Sequence, residues 1–163
     1  MNLMGWIIQL IRNLITKQNK KFNMSFLPYL IIIVIHYIAD FIFQDEEWAK
    51  NKSSSIKALL KHTLMYTYVW VGFIIFIPSN IFNIFGYKTI LLFITVFPVI
   101  TFLCHTVTDY FTSRVVKRLF EEKKYGSSIP NFGAFTMIGF DQVLHYIQLF
   151  ATYDFIIYLG KSI

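Results

Sequence analysis

The residues best suited to chemistry in this 163-residue chain are its four histidines, each of which lies in a different apolar segment. In the first segment His36, Asp40 and Gln44 recur every four residues, so on a helix they share one face. The other histidines each have a polar partner one helical turn away: His62 with Tyr66, His105 with Asp109, and Asp141 with His145. Ionisable groups in apolar segments are energetically costly and usually mark a site. These residues are therefore the first candidates for function.

Imidazole nitrogens and carboxylate oxygens are suitable ligands for zinc, manganese or iron, and a His/Asp pair four residues apart can direct both groups at one ion. The predicted metal ligands are His36, Asp40, His62, His105, Asp109, Asp141 and His145. This set exceeds the needs of one tetrahedral zinc, so it predicts either a dinuclear site or a mononuclear site with carboxylates that orient the imidazoles. A proton relay and a structural hydrogen-bonded cluster are the alternatives.

A further set of polar residues is predicted to act on a substrate. A bound divalent ion lowers the pKa of a water molecule and so supplies a nucleophile. The predicted catalytic residues are Asp40, Asp109, Asp141, Gln44 and Gln142, with the two glutamines orienting a substrate oxygen. Lys52, Arg114 and Arg118 are the predicted substrate-binding residues. Arg114 and Arg118, together with Lys117, lie one turn or more beyond Asp109, where they could meet a phosphate. Arg114 and Arg118 also fit the ordinary role of anchors at the membrane interface.

Composition predicts the setting of these residues. The chain is 56% hydrophobic and 19% aromatic, with a mean hydropathy of +0.54, which is typical of integral membrane proteins. A soluble helical domain would alternate apolar with polar positions, and the runs 27–39 and 90–104 do not. The net charge of +6 lies near the ends of apolar runs and in connections, which favours lipid headgroups over nucleic acid as the partner. Cys104 is the single cysteine and provides neither a disulfide nor a thiolate metal site.

The predicted fold is an all-α integral membrane bundle of four transmembrane helices, contained in one membrane domain over residues 24–163. The spans are predicted at about 26–44, 57–77, 89–112 and 135–159, each near the roughly 20 residues that a bilayer requires.

Residues 1–23 are predicted to form an amphipathic interfacial helix followed by a polar linker. Apolar side chains recur on one side of residues 2–16, and the segment is too short and too interrupted to span. A cleaved signal peptide is disfavoured because no basic region precedes the apolar part and no small-residue cleavage site follows it.

The depth of the polar residues along the predicted spans favours one shared site. The pairs lie near the C-terminal ends of the first and third spans and near the N-terminal ends of the second and fourth. Since consecutive spans run in opposite directions, all four histidines are expected in the same leaflet. Nine Lys and Arg residues lie in loops and helix ends on that side and six on the other, which predicts a cytoplasmic orientation. Lys17, Lys20 and Lys21 oppose this orientation.

The spaced polar motifs resemble those of the domain-of-unknown-function 3307 family, over about residues 30 to 150. The motifs are His36-x-x-Ala39-Asp40-Phe41-x-x-Gln44, Asn51-Lys52, His62, His105-x-x-x-Asp109 and Asp141-Gln142-x-x-His145. The resemblance implies a small bacterial or phage integral membrane protein and supplies no reaction. A looser similarity to membrane-bound metal-dependent hydrolases, which keep His and Asp at helix ends, suggests hydrolysis by analogy.

The leading hypothesis is a membrane-embedded metalloprotein that hydrolyses a lipid-linked or phosphorylated substrate at the cytoplasmic leaflet of a bacterial membrane. Its cofactor would be zinc, manganese or iron. One alternative is a non-enzymatic protein that binds or perturbs a host membrane complex, with the polar cluster as structural glue. Another is a small proton-coupled carrier or channel. The expected partners are the lipid bilayer, the substrate, and a second copy or a host membrane protein, with no nucleic acid.

Overall fold

The computed structural model describes residues 26–75, 86–123 and 132–162. The predicted amphipathic helix of residues 1–23 lies outside this part of the chain. The chain divides into two compact units, residues 1–34 and 35–163. Residues 26–34, the described part of the first unit, are helical. All contacts given below belong to the second unit.

The described residues form helices and contain no strand, which confirms the predicted all-helical class for this part of the chain. The helices are α1 (Phe26–Ile42), α2 (Glu46–Asn51), α3 (Ile56–Ile75), α4 (Tyr87–Glu121) and α5 (Phe132–Ser162). The long helices lie where the spans were predicted. α4 continues nine residues past the predicted end at 112, because its apolar periodicity continues through Val115, Val116, Leu119 and Phe120.

Local sequence explains several helix boundaries. Asp45 precedes α2 and its carboxylate accepts a hydrogen bond from the backbone N–H of Trp48, as an N-cap residue does. Gly86 precedes α4 with a φ of +76°, a conformation that glycine adopts without a steric penalty. The end of α1, Ile38–Ile42, is a π-helical turn closed by a 2.9 Å hydrogen bond from the N–H of Phe43 to the carbonyl of Ile38. Such turns are rare and are found frequently at functional sites, and this one contains Asp40.

α3, α4 and α5 pack in alternating directions. The Thr106 hydroxyl of α4 donates to the Thr63 hydroxyl of α3 at 3.0 Å, while Lys117 at the end of α4 reaches Ser54 just before α3 begins. On the other side, Gln148 of α5 donates to Thr108 at 2.5 Å. The start of α4 meets the end of α5, where Gly160 lies directly against the side chain of Thr89. The end of α4 therefore lies beside the start of α3, and the start of α4 lies beside the end of α5, so α4 runs antiparallel to both neighbours.

The burial pattern is the reverse of that in a soluble core. Thirteen polar or charged residues are buried among the described residues, against twelve hydrophobic ones. Large apolar side chains instead point outward along α4 and α5, including Leu91, Val99, Leu103, Phe140, Val143 and Ile147. Extensive exposed apolar surface marks a face that meets a membrane or a partner.

By length and composition, α4 is the one described helix that could cross a membrane, and α1 is a shorter apolar helix. The all-helical part of the prediction is therefore confirmed for the described residues. Of the four predicted spans, one is a described helix that is long and apolar enough to cross a membrane. The part of the sequence with the predicted third span, 89–112, lies inside that helix.

Candidate metal centre

The four histidines meet in the interior, although they come from four different helices. Each is at most 2% exposed. The His62 and His105 rings lie 5.4 Å apart between centroids, the His105 and His145 rings stack at 4.1 Å, and the His36 and His145 rings lie at 5.4 Å. Buried Asp40, Asp109 and Asp141 surround them. The structure therefore brings together all seven residues that were predicted as ligands.

Four ligand atoms form a first compact set, the Nε2 atoms of His62 and His105 with one oxygen each of Asp40 and Asp109. The two nitrogens are 3.3 Å apart. Asp40 Oδ1 lies 3.2 Å from the His62 nitrogen and 3.6 Å from that of His105. Asp109 Oδ2 lies 3.0 Å and 3.5 Å from the same two atoms.

These separations are those of atoms that share one ion. Around a tetrahedral zinc with zinc–nitrogen distances of about 2.0–2.1 Å, two ligand atoms are about 3.3–3.4 Å apart. Five of the six pairs in the first set lie between 3.0 and 3.6 Å. Asp40, His62 and His105 therefore fit a single divalent ion, and Asp109 Oδ2 lies within 3.5 Å of both imidazole nitrogens.

A second set lies on the other side of Asp109. Its Oδ1 atom is 3.5 Å from His145 Nε2, which is in turn 3.4 Å from Asp141 Oδ1. Asp109 thus presents one oxygen to each set, which is how a carboxylate bridges two ions. His105, Asp109 and His145 can together hold an ion, as can Asp40, His62 and His105.

The hydrogen-bonding state of these atoms also suits ligands. Within the described residues Asp40 Oδ1, Asp109 Oδ1 and His145 Nε2 make no hydrogen bond, although polar atoms lie 3.2–3.5 Å away. Buried polar atoms nearly always have a partner. Asp40 Oδ1 belongs to the first set and the other two atoms to the second, so each set offers a carboxylate oxygen to a cation. The residues present therefore fit a metal ion.

Lys52 adds a fixed positive charge at the edge of the first set. Its ammonium donates to Asp109 Oδ2 at 2.7 Å and lies 3.3 Å from His62 Nε2, and its side chain is 18% exposed. Burial alone would lower the pKa of Lys52, but the carboxylates of Asp109 and Asp40 outweigh it, so this pKa lies above its ordinary value. One ammonium does not balance three buried carboxylates, so the remaining positive charge must come from a bound cation or from protonated histidines.

His36 is held differently from the other histidines. The amide nitrogen of Gln142 donates to Asp40 Oδ2 at 3.3 Å and to Asp141 Oδ2 at 3.2 Å, so its oxygen faces His36 and accepts from Nε2–H at 2.8 Å. The other nitrogen, Nδ1, then accepts from the Tyr66 hydroxyl at 2.8 Å. With both nitrogens used, His36 does not fit the predicted role of ligand. It instead fixes Gln142, which in turn aims the two carboxylates.

A cleft of about 550 Å³ opens beside the cluster. Asp40, Asp109 and Asp141 lie on its wall, as do the predicted Gln44, Gln142 and Lys52. The two predicted arginines lie elsewhere. Arg114 donates to the carbonyl of Tyr110 at 2.6 Å and stacks on that ring, while Arg118 pairs with Glu122 and is 76% exposed. Their placement does not fit substrate binding in this cleft.

Two features of the site were not predicted from sequence. The Thr112 hydroxyl donates to Asp141 Oδ1 at 2.5 Å and so orients that carboxylate. The signal for it was present, because Thr101, His105, Thr108 and Thr112 recur at helical spacing on one face of α4. The contact of Lys52 with Asp109 had no such signal, since the two residues are 57 positions apart.

Fold and site together define a class: an all-helical protein whose interior holds His/Asp groups that could bind a metal ion. The chain belongs to the DUF3307 family, described as a protein of unknown function, whose profile matches residues 26–163. This match confirms the resemblance drawn from the spaced motifs. No curated protein and no solved structure matched the chain.

Proposed function

We propose that this protein is a membrane-embedded, metal-dependent hydrolase with a dinuclear centre. The observation that carries the proposal is the first ligand set, in which five interatomic distances between 3.0 and 3.6 Å match the edges of one coordination sphere. A second ion would share Asp109 with the first and complete its set with His145 and Asp141. Zinc, manganese and iron all suit such a mixture of imidazole and carboxylate.

The membrane setting is supported by the burial pattern. Only 28% of the most apolar stretch of α4 is buried, whereas the core helix of a soluble protein would be mostly covered. Helices α3, α4 and α5 alternate in direction, as consecutive spans of a membrane bundle would. The excess of Lys and Arg in the loops on the histidine side favours a cytoplasmic location for the site.

Hydrolysis is the reaction that the donor set and the cleft favour. Bound divalent ions supply Lewis acidity and an activated water. Around them, Asp40, Asp109 and Asp141 face the cleft, where a substrate would meet them. Gln142 holds Asp40 and Asp141 in position and Thr112 also holds Asp141, while Lys52 offers positive charge to an anionic group. A lipid-linked or phosphorylated substrate suits this combination.

Elemental analysis of the purified protein tests the proposal. Wild type is expected to contain two ions per chain. Asp109→Asn removes a ligand from both sets and should abolish metal binding, whereas Asp40→Asn should lose the first ion alone and Asp141→Asn the second alone. Thermal unfolding with and without a chelator gives an independent readout, because ions that bind the folded protein raise its melting temperature.

A second candidate function is a non-enzymatic membrane protein in which the cluster joins the helices. The observation in its favour is that Lys52 and His62 already contact Asp109 at 2.7 and 3.0 Å without any ion. It predicts metal-free wild-type protein whose melting temperature a chelator leaves unchanged. It also predicts that His62→Ala, His105→Ala and His145→Ala all lower that temperature. This result would contradict the hydrolase proposal.

A further inference from the structure

The cleft beside the metal centre has two kinds of wall. One wall is polar and charged, and includes Lys52, Ser54, Ser113 and Lys117 besides the carboxylates. The other is apolar and includes Phe41, Val116, Phe120 and Ile138. The volume of the whole cleft, about 550 Å³, lies within the range of small-molecule sites. A ligand that fills both walls must have a polar end and an apolar end.

The charge of the cleft depends on the metal. Lys50, Lys52 and Lys117 line it together with four carboxylates, those of Asp40, Asp109, Asp141 and Glu121. This leaves one negative charge in excess, which repels an anion. One bound divalent ion reverses the sign to one positive charge, and a second ion makes it more positive. An anionic ligand should therefore bind after the metal, and each should strengthen the binding of the other.

Two lysines are placed to hold an anion. Lys52 makes one short hydrogen bond, to Asp109, and an ammonium has three donors. Metal ions bound to Asp109 would neutralise part of its negative charge and so weaken the ion pair between Asp109 and Lys52. Lys117 donates to Ser54 at 3.3 Å and lies 3.7 Å from Glu121, with its side chain 45% exposed. These contacts bring Lys117 and the segment that carries Lys52 to the same mouth of the cleft.

The apolar wall of the cleft favours a lipid over a free anion as the ligand. Phe41 is 43% exposed and Phe120 is 40% exposed, and they belong to α1 and α4. Inorganic phosphate would make no contact with this surface, whereas the acyl chain of a lipid would pack against it.

We propose that the cleft binds an anionic lipid through its phosphate group, which lies between Lys52 and Lys117 beside the metal ions, while its apolar chain packs along Phe41 and Phe120. This inference rests on the proposed function, because it requires the charge of the metal. It narrows the substrate class to lipids that carry a phosphate in the headgroup.

Calorimetric titration of the full-length protein in neutral detergent tests the inference, with a short-chain phosphatidic acid as the probe. Metal-loaded wild type is expected to bind this lipid at least tenfold more tightly than the chelator-treated protein. It should bind inorganic phosphate, and a diacylglycerol with the same chains, at least tenfold more weakly than the phosphatidic acid. Phosphate bound as tightly as the lipid would overturn the lipid assignment, and diacylglycerol bound as tightly would overturn the role of the phosphate.

Lysine variants test the two predicted contacts. Lys52→Gln and Lys117→Gln should each weaken phosphatidic acid binding about tenfold, and Lys52→Arg should restore most of it. Lys57→Gln is the matched control, since Lys57 is exposed and lies outside the cleft. The contacts of Lys117 are with Ser54 and Glu121 rather than with the ligand sets, so Lys117→Gln reports even where a change at Lys52 impairs folding. Unchanged binding in Lys117→Gln and Lys52→Gln would overturn the proposal.

Metal content measured on the same preparations separates the two proposals. Protein that holds its ions but does not bind phosphatidic acid contradicts the lipid inference alone. Protein that holds no metal contradicts the proposed function and, with it, the basis of the lipid inference. Equal lipid affinity with and without metal would overturn the charge coupling between the two sites.

Discussion

At the scale of single residues, the His/Asp cluster depends on the groups that orient its ligands. Spacing in the sequence was enough to select the candidate ligands that the structure brings together, because His and Asp one helical turn apart share one face of a helix. It did not separate His36 from the other histidines. That distinction comes from Gln142 and Tyr66, which take up both nitrogens of the ring, and these contacts join residues 106 and 30 positions apart.

His105 is, with His62, one of two candidate ligands whose Nδ1 atom makes no hydrogen bond to the described residues. The Thr101 hydroxyl near His105 makes no such bond either. Both residues line a space of about 10 Å³, which is close to the minimum for one water molecule. A water bridging them would keep Nδ1 protonated and leave Nε2 free for a metal ion, as second-shell partners of ligating histidines do.

Replacing Thr101 with Val should therefore weaken metal binding without removing a ligand. We expect an affinity loss of about tenfold, and recovery in Thr101→Ser, because second-shell changes usually cost 10–100-fold. Competition with a chromophoric chelator measures the affinity. Thr95→Val is the control, since the Thr95 hydroxyl bonds only the Leu91 carbonyl on an exposed face of the same helix. Equal affinities for Thr101→Val and wild type would contradict this role.

At the scale of the helices, sequence predicted the positions better than the boundaries and the contacts. The apolar runs located α3, α4 and α5, since hydrophobicity over about 20 residues is a strong signal. The π-helical turn at Ile38–Ile42 was not predicted from the sequence; Asp40 within it accepts a hydrogen bond from Gln142 of α5. The close approach of α4 and α5 was not predicted from the sequence either. It occurs where Gly160 of α5 meets Thr89 of α4.

Gly160 makes that close approach possible. A Cβ atom at this position would overlap the side chain of Thr89 and come within 3.1 Å of its Cα atom. Gly160→Ala should therefore force α4 and α5 apart and cost about 1–3 kcal/mol, as overpacking does. The expected readout is a lower melting temperature in detergent.

Gly139→Ala is the control for this prediction, on the same helix. A Cβ at Gly139 would meet nothing within 4 Å, and alanine favours a helix over glycine by up to about 1 kcal/mol. Its melting temperature should stay the same or rise. Equal losses in the two variants would show that helix α5 is sensitive to any substitution and that the contact with Thr89 has no special importance.

At the scale of the whole molecule, the polar interior and the apolar exterior predict how the chain lies in a bilayer. If α1, α3, α4 and α5 all span, the connection that contains α2 and the end of α4 must lie on one side, and the start of α4 and the end of α5 on the other. The contact between Lys117 and Ser54 and that between Gly160 and Thr89 already group these ends in pairs. On the proposed orientation, in which the more positively charged side is cytoplasmic, the first pair of ends is expected in the cytoplasm.

Single cysteines at these ends, in a Cys104→Ala background, distinguish the arrangements. Cys104 is the only native cysteine, so each variant reports one position. With a membrane-impermeant maleimide, Tyr87→Cys and Ser162→Cys should react in intact spheroplasts, whereas Glu47→Cys and Glu121→Cys should react only after lysis. Reaction of the second pair alone in intact spheroplasts would reverse the orientation but keep the bundle. Glu47→Cys and Glu121→Cys on opposite sides would contradict the bundle itself, because the helix ends around the site could then not face the same leaflet.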